Sequence, residues 1–145
     1  MRPKMTLAEK LAADGKREAR RRKLVYYQVT ARAKQRGCQA MTFSEFEELW
    51  LASRGRCELT GIHFSSKRVD GSVKRPWMPS VDRIDSAKGY EKGNCRLVCV
   101  AVNIALNDFG IETLCRIAGA LVDKRRRNGY WRVREADGRE VAFKA

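Results

Sequence analysis

The chain lacks several features that would place it outside the cytoplasm. Its five cysteines (38, 57, 95, 99 and 115) are odd in number and include no Cys-x-x-Cys pair, which favours reduced, mostly buried thiols over disulfides. No apolar run approaches the ~20 residues that a membrane-spanning helix needs. The first residues also lack the apolar core of a signal peptide. We therefore expect a cytoplasmic protein with no membrane partner.

Acidic side chains are scarce. The 145 residues hold 17 Asp and Glu against 31 Lys and Arg, a formal net charge of +14. Such an excess concentrates polyanions around a protein and neutralises phosphates with release of counterions. Nucleic acid is the partner that the charge favours, and a cationic surface that serves only solubility is the alternative.

Helical signals fill the first third of the chain. Residues 6–36 read as a basic helix that Gly37 ends. Thr42 or Ser44 is suited to cap a second helix, with Glu45 in its first turn. The aromatic and apolar residues of this second helix repeat at helical spacing and are predicted to be core: Phe43, Phe46, Leu49 and Trp50.

The rest of the chain mixes strands and helices. Two short strands are expected at about residues 80–85 and 95–100, and the second leads directly into a helix through Asp108. After Gly110 comes an amphipathic helix, and the alternating tail reads as a β-hairpin with its turn at Asp137-Gly138. The prediction is an α+β fold, mainly helical, with a C-terminal β-hairpin. The apolar face of the amphipathic helix comprises Ile111, Leu114, Ile117, Leu121 and Val122.

Oxygen-bearing side chains stand where the two strands and the following helix meet. Asp82 ends the first strand, Asn103 lies in the first part of the helix, and Asn107 follows four residues later on the same helical face. Carboxylate and amide oxygens suit one Mg²⁺ or Mn²⁺ ion, which keeps waters and substrate phosphate as its other ligands. Asn94, at the start of the second strand, is better suited to fixing the loop between the strands.

These blocks, in this order, resemble the ββα-metal or HNH endonuclease family, in particular the variant of small phage-encoded proteins. The resemblance runs from about Ala31 to Asp108 and includes Arg56-Cys57-Glu58-Leu59-Thr60-Gly61. It implies a basic helical arm at 1–36, a nuclease domain at 37–110 and a C-terminal helix with a hairpin at 111–145. It also implies a bacterial or phage-infected cell and assigns catalytic positions to Asp82, Arg83, Asn94 and Asn103, with Asp82, Asn103 and more loosely Asn107 as metal ligands.

The chain departs from the family pattern directly after Asp82. The family's general base is normally a histidine there, and this chain has Arg83, which cannot accept a proton near neutral pH but can clamp a phosphate oxygen. Asp85 and His63, the only histidine, are candidate bases. Tyr90 is a weaker candidate, and a hydroxide on the metal would need no protein base.

A second departure concerns zinc. Many members of the family have two Cys-x-x-Cys pairs. Here Cys57 is followed by Thr60 and Cys99 by Val102 at the partner positions, so each pair keeps one thiol. This pattern argues against a four-ligand structural zinc site. We expect the helices and the C-terminal hairpin to supply that stabilisation through apolar packing.

The charge and the oxygen ligands together predict a metal-dependent endonuclease or nickase acting on duplex DNA. A non-catalytic DNA-binding module is the alternative, supported by Arg83 at the usual base position. A basic RNA-associated protein would explain the charge but not the spaced Asp and Asn. The residues expected to contact DNA phosphates are Arg20, Arg21, Arg22, Lys23, Arg32, Lys34, Arg36, Arg75 and Lys88.

Overall fold

The computed structural model describes residues 6–68 and 75–127 with their side chains and two C-terminal strands by their backbone. Within these ranges the architecture is α+β, with four helices and two two-stranded sheets. The coarse prediction of a mainly helical α+β chain ending in a β-hairpin is thus confirmed. The elements are α1 (Leu7–Arg36), α2 (Phe43–Ala52), β1 (Pro79–Arg83), β2 (Cys95–Cys99), α3 (Val100–Leu106), α4 (Gly110–Arg127), β3 (Trp131–Arg134) and β4 (Glu140–Phe143).

Local capping sets the ends of α1. At its start the N–H of Glu9 donates to Oγ1 of Thr6 at 3.3 Å, and the N–H of Thr6 donates to Oε2 of Glu9 at 2.7 Å, which forms a capping box. At its end Gly37 adopts the left-handed conformation with φ 63°, which glycine reaches without a steric penalty. The predicted helix and its terminating glycine are both confirmed.

The chain divides into two compact units, the first formed by Met1–Ala52 with Arg83–Cys95 and the second by Ser53–Asp82 with Arg96–Ala145. In the first unit α1 packs on α2. Tyr26 meets Phe43 edge-on at 5.0 Å between ring centroids, and Phe46 is fully buried. Trp50 is 7% exposed and its indole N–H donates to Glu18 at 3.1 Å. Phe46 and Trp50 are therefore core, as predicted, while Phe43 and Leu49 are partly buried.

The second unit is built on a tight turn at Cys57–Gly61. The N–H of Gly61 donates to the carbonyl of Cys57 at 2.8 Å, and the N–H of Glu58 donates to the carbonyl of Leu97 on β2 at 3.0 Å. Cys57, Val98 and Cys99 form a buried cluster. Partly buried apolar side chains pack against this cluster: Leu59, Phe64, Trp77, Ala101 and Val102.

The C-terminal elements also follow the prediction, with one difference. β3 and β4 pair antiparallel with Trp131 opposite Phe143, while the turn predicted at Asp137-Gly138 lies outside the described residues. α4 begins at Gly110 and is amphipathic, yet none of its described residues is buried: Ile117 is 53% and Leu121 60% exposed. The apolar face of α4 therefore does not enter the described core.

Residues 69–74 also lie outside the described part of the chain. No helix among the described residues combines the length and the apolar character needed to cross a bilayer.

Candidate metal and phosphate site

Asp82 faces an arginine on the neighbouring strand. The N–H of Ile84 donates to the carbonyl of Asn94, and the N–H of Val100 donates to the carbonyl of Met78, each at 2.8 Å. This antiparallel register places Asp82 opposite Arg96. The Nε of Arg96 donates to Oδ2 of Asp82 at 2.8 Å, and the two side chains are 14% and 10% exposed. Because the pair is largely buried, removal of one partner would leave an uncompensated charge.

The first turn of α3 is fixed to the segment that enters β1. The N–H of Val100 binds the carbonyl of Met78, and the N–H of Ala101 donates to the carbonyl of Pro76 at 2.9 Å. These bonds satisfy donors that a helix N-terminus otherwise leaves unpaired. They hold α3 so that Asn103 lies against β1.

Asn103 uses its amide nitrogen to grip β1. Its Nδ2 donates to Oγ of Ser80 at 2.7 Å and to the carbonyl of Val81 at 3.1 Å. Ser80 and Asp82 are two residues apart on one strand, so their side chains share a face. The Asn103 carboxamide thus contacts the two residues that immediately precede Asp82.

Two oxygens at this place have no hydrogen bond to any described residue: Oδ1 of Asp82 and Oδ1 of Asn103. A carboxylate oxygen and an amide oxygen fit the preference of Mg²⁺ or Mn²⁺ for hard donors. Within residues 6–68 and 75–127 no three His, Cys, Asp or Glu side chains are grouped closely enough to hold a metal ion. Besides the Asp82 carboxylate, a metal ion here would therefore need the Asn103 carboxamide, water and substrate phosphate as ligands.

Asn107 does not lie where the helical prediction puts it. We expected the helix to continue through Asp108, but α3 ends at Leu106 and Asn107 is its C-cap, with φ 40° and ψ −131°. Its backbone N–H donates to the carbonyl of Asn103 at 3.1 Å. The backbone therefore leaves the helix at Asn107, and the role of Asn107 as a more loosely held metal ligand stays a prediction.

Asn94 fixes the loop between β1 and β2, within the first unit. It is 8% exposed. Its Nδ2 donates to the carbonyls of Asp85 at 3.1 Å and Gly89 at 2.9 Å, and its Oδ1 accepts the N–H of Asp85 at 3.0 Å. These bonds fix the loop between the strands, which is the role that the position of Asn94 in the sequence suggested. With both ends of its carboxamide engaged, Asn94 acts as a structural clamp on the loop.

Arg83 and Asp85 are both tied to the same loop. Nη1 of Arg83 donates to the carbonyl of Lys88 at 2.8 Å, and the guanidinium carbon lies 5.2 Å from the centre of the Tyr90 ring. Oδ1 of Asp85 accepts the N–H of Ala87 at 2.9 Å, and Oδ2 lies 3.5 Å from Nζ of Lys88. The Asp85 carboxylate therefore caps a turn, which competes with a role as general base.

The other two candidate bases differ in exposure. His63 is exposed and its backbone forms an isolated β-bridge with Arg56; none of its described contacts is with Asp82. Tyr90 is 4% exposed, and its backbone carbonyl accepts the N–H of Met41. Burial beneath Arg83 makes Tyr90 a structural residue of its unit.

Cys57 and Cys99 lie together in a buried apolar cluster. Burial acts to raise the pKa of the Cys57 thiol, but hydrogen bonds from the Thr60 side chain and from nearby backbone outweigh it and lower this pKa below its ordinary value. Burial raises the pKa of the Cys99 thiol. Leu59, Phe64 and Val102 pack around these thiols.

The basic residues predicted to contact DNA fall into two groups. Nη1 of Arg21 lies 3.1 Å from Oε2 of Glu18, and Nη1 of Arg22 lies 3.4 Å from Oε1 of Glu47. Both arginine side chains are about one quarter exposed. Lys88 is exposed but paired with Asp85. The remaining predicted residues are exposed and form no described ion pair: Arg20, Lys23, Arg32, Lys34, Arg36 and Arg75.

Two residues of the site were missed by sequence reasoning. Arg96 pairs with Asp82, and Ser80 accepts the amide of Asn103. The pairing of Arg96 follows from the strand register, which is known only once Ile84 is seen to pair with Asn94. The contact of Ser80 depends on how α3 lies against β1, which no local pattern encodes.

No family model, curated protein or solved structure matches this chain.

Proposed function

We propose that the protein is a metal-dependent endonuclease or nickase of the HNH type that hydrolyses phosphodiester bonds in duplex DNA. The observation that carries the proposal is the contact of the Asn103 carboxamide with residues 80 and 81, directly before Asp82. Each of the two side chains has an oxygen without a described partner, and the chain carries a net charge of +14.

Asp82 and Asn103 would hold one divalent cation, Mg²⁺ or Mn²⁺. Such an ion supplies charge stabilisation at a scissile phosphate and at its leaving oxygen. Arg96 orients the Asp82 carboxylate by binding Oδ2, which leaves Oδ1 as the ligand atom. Ser80 orients the Asn103 carboxamide in the same way, by accepting its N–H.

Arg83 would contribute binding and not proton transfer. A guanidinium carries five N–H donors and stays protonated. The described hydrogen bond of the Arg83 side chain uses Nη1, so further donors remain for a phosphate oxygen. Stacking on the Tyr90 ring limits the motion of the guanidinium, which lowers the entropy cost of such a contact.

A non-catalytic DNA-binding module is the second candidate, and the ion pair between Asp82 and Arg96 favours it. The guanidinium already neutralises the carboxylate, and a second cation on the same group would meet repulsion from Arg96. In that case the +14 charge would serve binding alone.

Cleavage of supercoiled plasmid with Mg²⁺ or Mn²⁺ distinguishes the two candidates. The informative variant is Asp82→Asn, since an amide oxygen can still accept from Arg96 and the fold is disturbed less than by alanine. We expect cleavage to fall roughly 100-fold or more, because each 1.36 kcal/mol of lost charge stabilisation costs about tenfold in rate.

The matched control is Asp123→Asn, the same chemical change at an exposed position of α4. It should cleave like the wild type. DNA binding in EDTA, where no divalent ion is present, should survive in both variants. Wild-type protein that binds DNA without cutting it under either metal would instead identify the binding module.

A further inference from the structure

One side of α1 carries a line of cations that form no ion pair with any described residue. Val25, Val29 and Ala33 are buried and mark the side that faces the core. At 100° per residue, the opposite side presents four basic residues, all exposed, which we call the basic stripe: Lys16, Arg20, Lys23 and Lys34.

The stripe differs from the other basic residues of α1 in its ion pairs. Arg17 is paired with Asp14, Arg21 with Glu18, and Arg22 with Glu47. Within the described part of the chain, none of the four stripe residues forms an ion pair. No acidic residue stands on this side of the helix between residues 16 and 34. The positive potential of the stripe is therefore not cancelled locally.

The surface beside these cations forms a groove. Lys16, Arg20 and Lys23 line a groove of about 410 Å³ together with Ala19, Leu24 and Tyr27. Leu24 is 53% and Tyr27 62% exposed. Tyr26, by contrast, packs on Phe43 and Phe46. The groove thus combines cations, which can neutralise phosphates, with exposed apolar and aromatic side chains.

The dimensions of the stripe suit a duplex. At a rise of 1.5 Å per residue, the eighteen steps from Lys16 to Lys34 span about 27 Å. Along a nucleic-acid duplex that length carries several phosphates on each strand. An isolated anion or a short acidic peptide would need only one or two of these cations.

We propose that the basic stripe is the surface of α1 that binds the phosphate backbone of a nucleic-acid duplex, independently of base sequence. The inference rests on the proposed function for its choice of partner. It adds Lys16 to the predicted contacts, and it assigns Arg21 and Arg22 to the packing of α1 because their guanidinium groups are committed to Glu18 and Glu47.

Fluorescence anisotropy with a labelled DNA duplex in EDTA, repeated over a series of salt concentrations, tests the stripe. The test variant is Lys16→Gln/Arg20→Gln/Lys23→Gln. The control is Lys10→Gln/Arg17→Gln/Arg116→Gln, which removes the same charge from exposed positions off the stripe. Glutamine is a good helix former, so both variants should keep their helix content, checked by circular dichroism.

The slope of log K against log salt should become shallower by about 2.7 in the stripe variant, since each lost phosphate contact removes about 0.9. The control should change it by less than 1. Equal changes in the two variants, or no change in the stripe variant, would overturn the proposal. If plasmid cleavage depends on Asp82 while the stripe variant binds normally, the stripe fails and the metal site stands. If the stripe variant loses binding but the wild-type protein never cuts DNA, the stripe stands and the metal site fails.

Discussion

Asn94 shows how one side chain can hold a whole loop. Its carboxamide donates two hydrogen bonds and accepts one, all to backbone groups between Asp85 and Gly89. At 8% exposure, water cannot easily replace these partners. The loop conformation that binds Arg83 and Asp85 therefore depends on Asn94.

Replacing Asn94 with alanine should lower the free energy of unfolding by about 2 to 4 kcal/mol, because three hydrogen bonds are lost and their backbone partners are left buried. Urea denaturation measures the change. Ser86→Ala, at an exposed position of the same loop, serves as the control and should stay within about 0.5 kcal/mol of the wild type. A loss below 1 kcal/mol for Asn94→Ala would show that the loop holds its shape without it.

Residue identity was easier to predict than residue pairing. Asp82, Asn94 and Asn103 are recognisable by type and order, but nothing local marks Arg96 as the partner of Asp82. That pairing is set by the strand register, which places Asp82 opposite Arg96, fourteen residues further along the chain. The end of α3 was misplaced for a related reason, since no local signal showed that the backbone leaves the helix at Asn107.

At the scale of elements, helix ends were predictable because capping is local. The sequence left both Thr42 and Ser44 open as the N-cap of α2, and the structure selects Thr42. The N–H of Glu45 donates to Oγ1 of Thr42 at 3.3 Å, while the N–H of Thr42 donates to Oε2 of Glu45 at 2.8 Å.

The exposure of the apolar face of α4 could not be predicted from its sequence, because amphipathic spacing does not say what covers that face.

The Thr42 cap gives a test with a pH dependence. Thr42→Ala should lower the free energy of unfolding by about 1 kcal/mol, measured by urea denaturation at neutral pH. Ser44→Ala, exposed and without a described hydrogen bond, should change it little. Equal losses in the two variants would contradict the assignment of the cap.

The sign of the pH effect follows from Glu45. The hydrogen bond with the Thr42 backbone, together with that of the Thr42 side chain, lowers the pKa of Glu45 below its ordinary value. Glu45 therefore binds a proton more readily in the unfolded chain than in the folded one. Its contribution to the free energy of unfolding is present above the unfolded pKa and is lost as the pH falls through the folded pKa. The stability difference between wild type and Glu45→Gln should shrink over that acid range. A constant difference would argue against the cap.

At the scale of the whole molecule, the charge and the fold class were readable from composition and periodicity. The three consecutive segments suggested by the sequence stay a prediction. The structure divides into two compact units, each formed by two separate stretches, because the loop between β1 and β2 groups with the first helices. Such long-range association depends on packing that no local pattern encodes.

The central claim is that Asp82 and Asn103 together hold a divalent cation. Electron paramagnetic resonance of Mn²⁺, with and without a short DNA duplex, measures that binding directly. We predict one Mn²⁺ per chain, bound at least about tenfold more weakly in Asp82→Asn and in Asn103→Ala but unchanged in Asp123→Asn. Mn²⁺ binding that is equally tight in wild type and Asp82→Asn, or absent even with DNA, would contradict the claim.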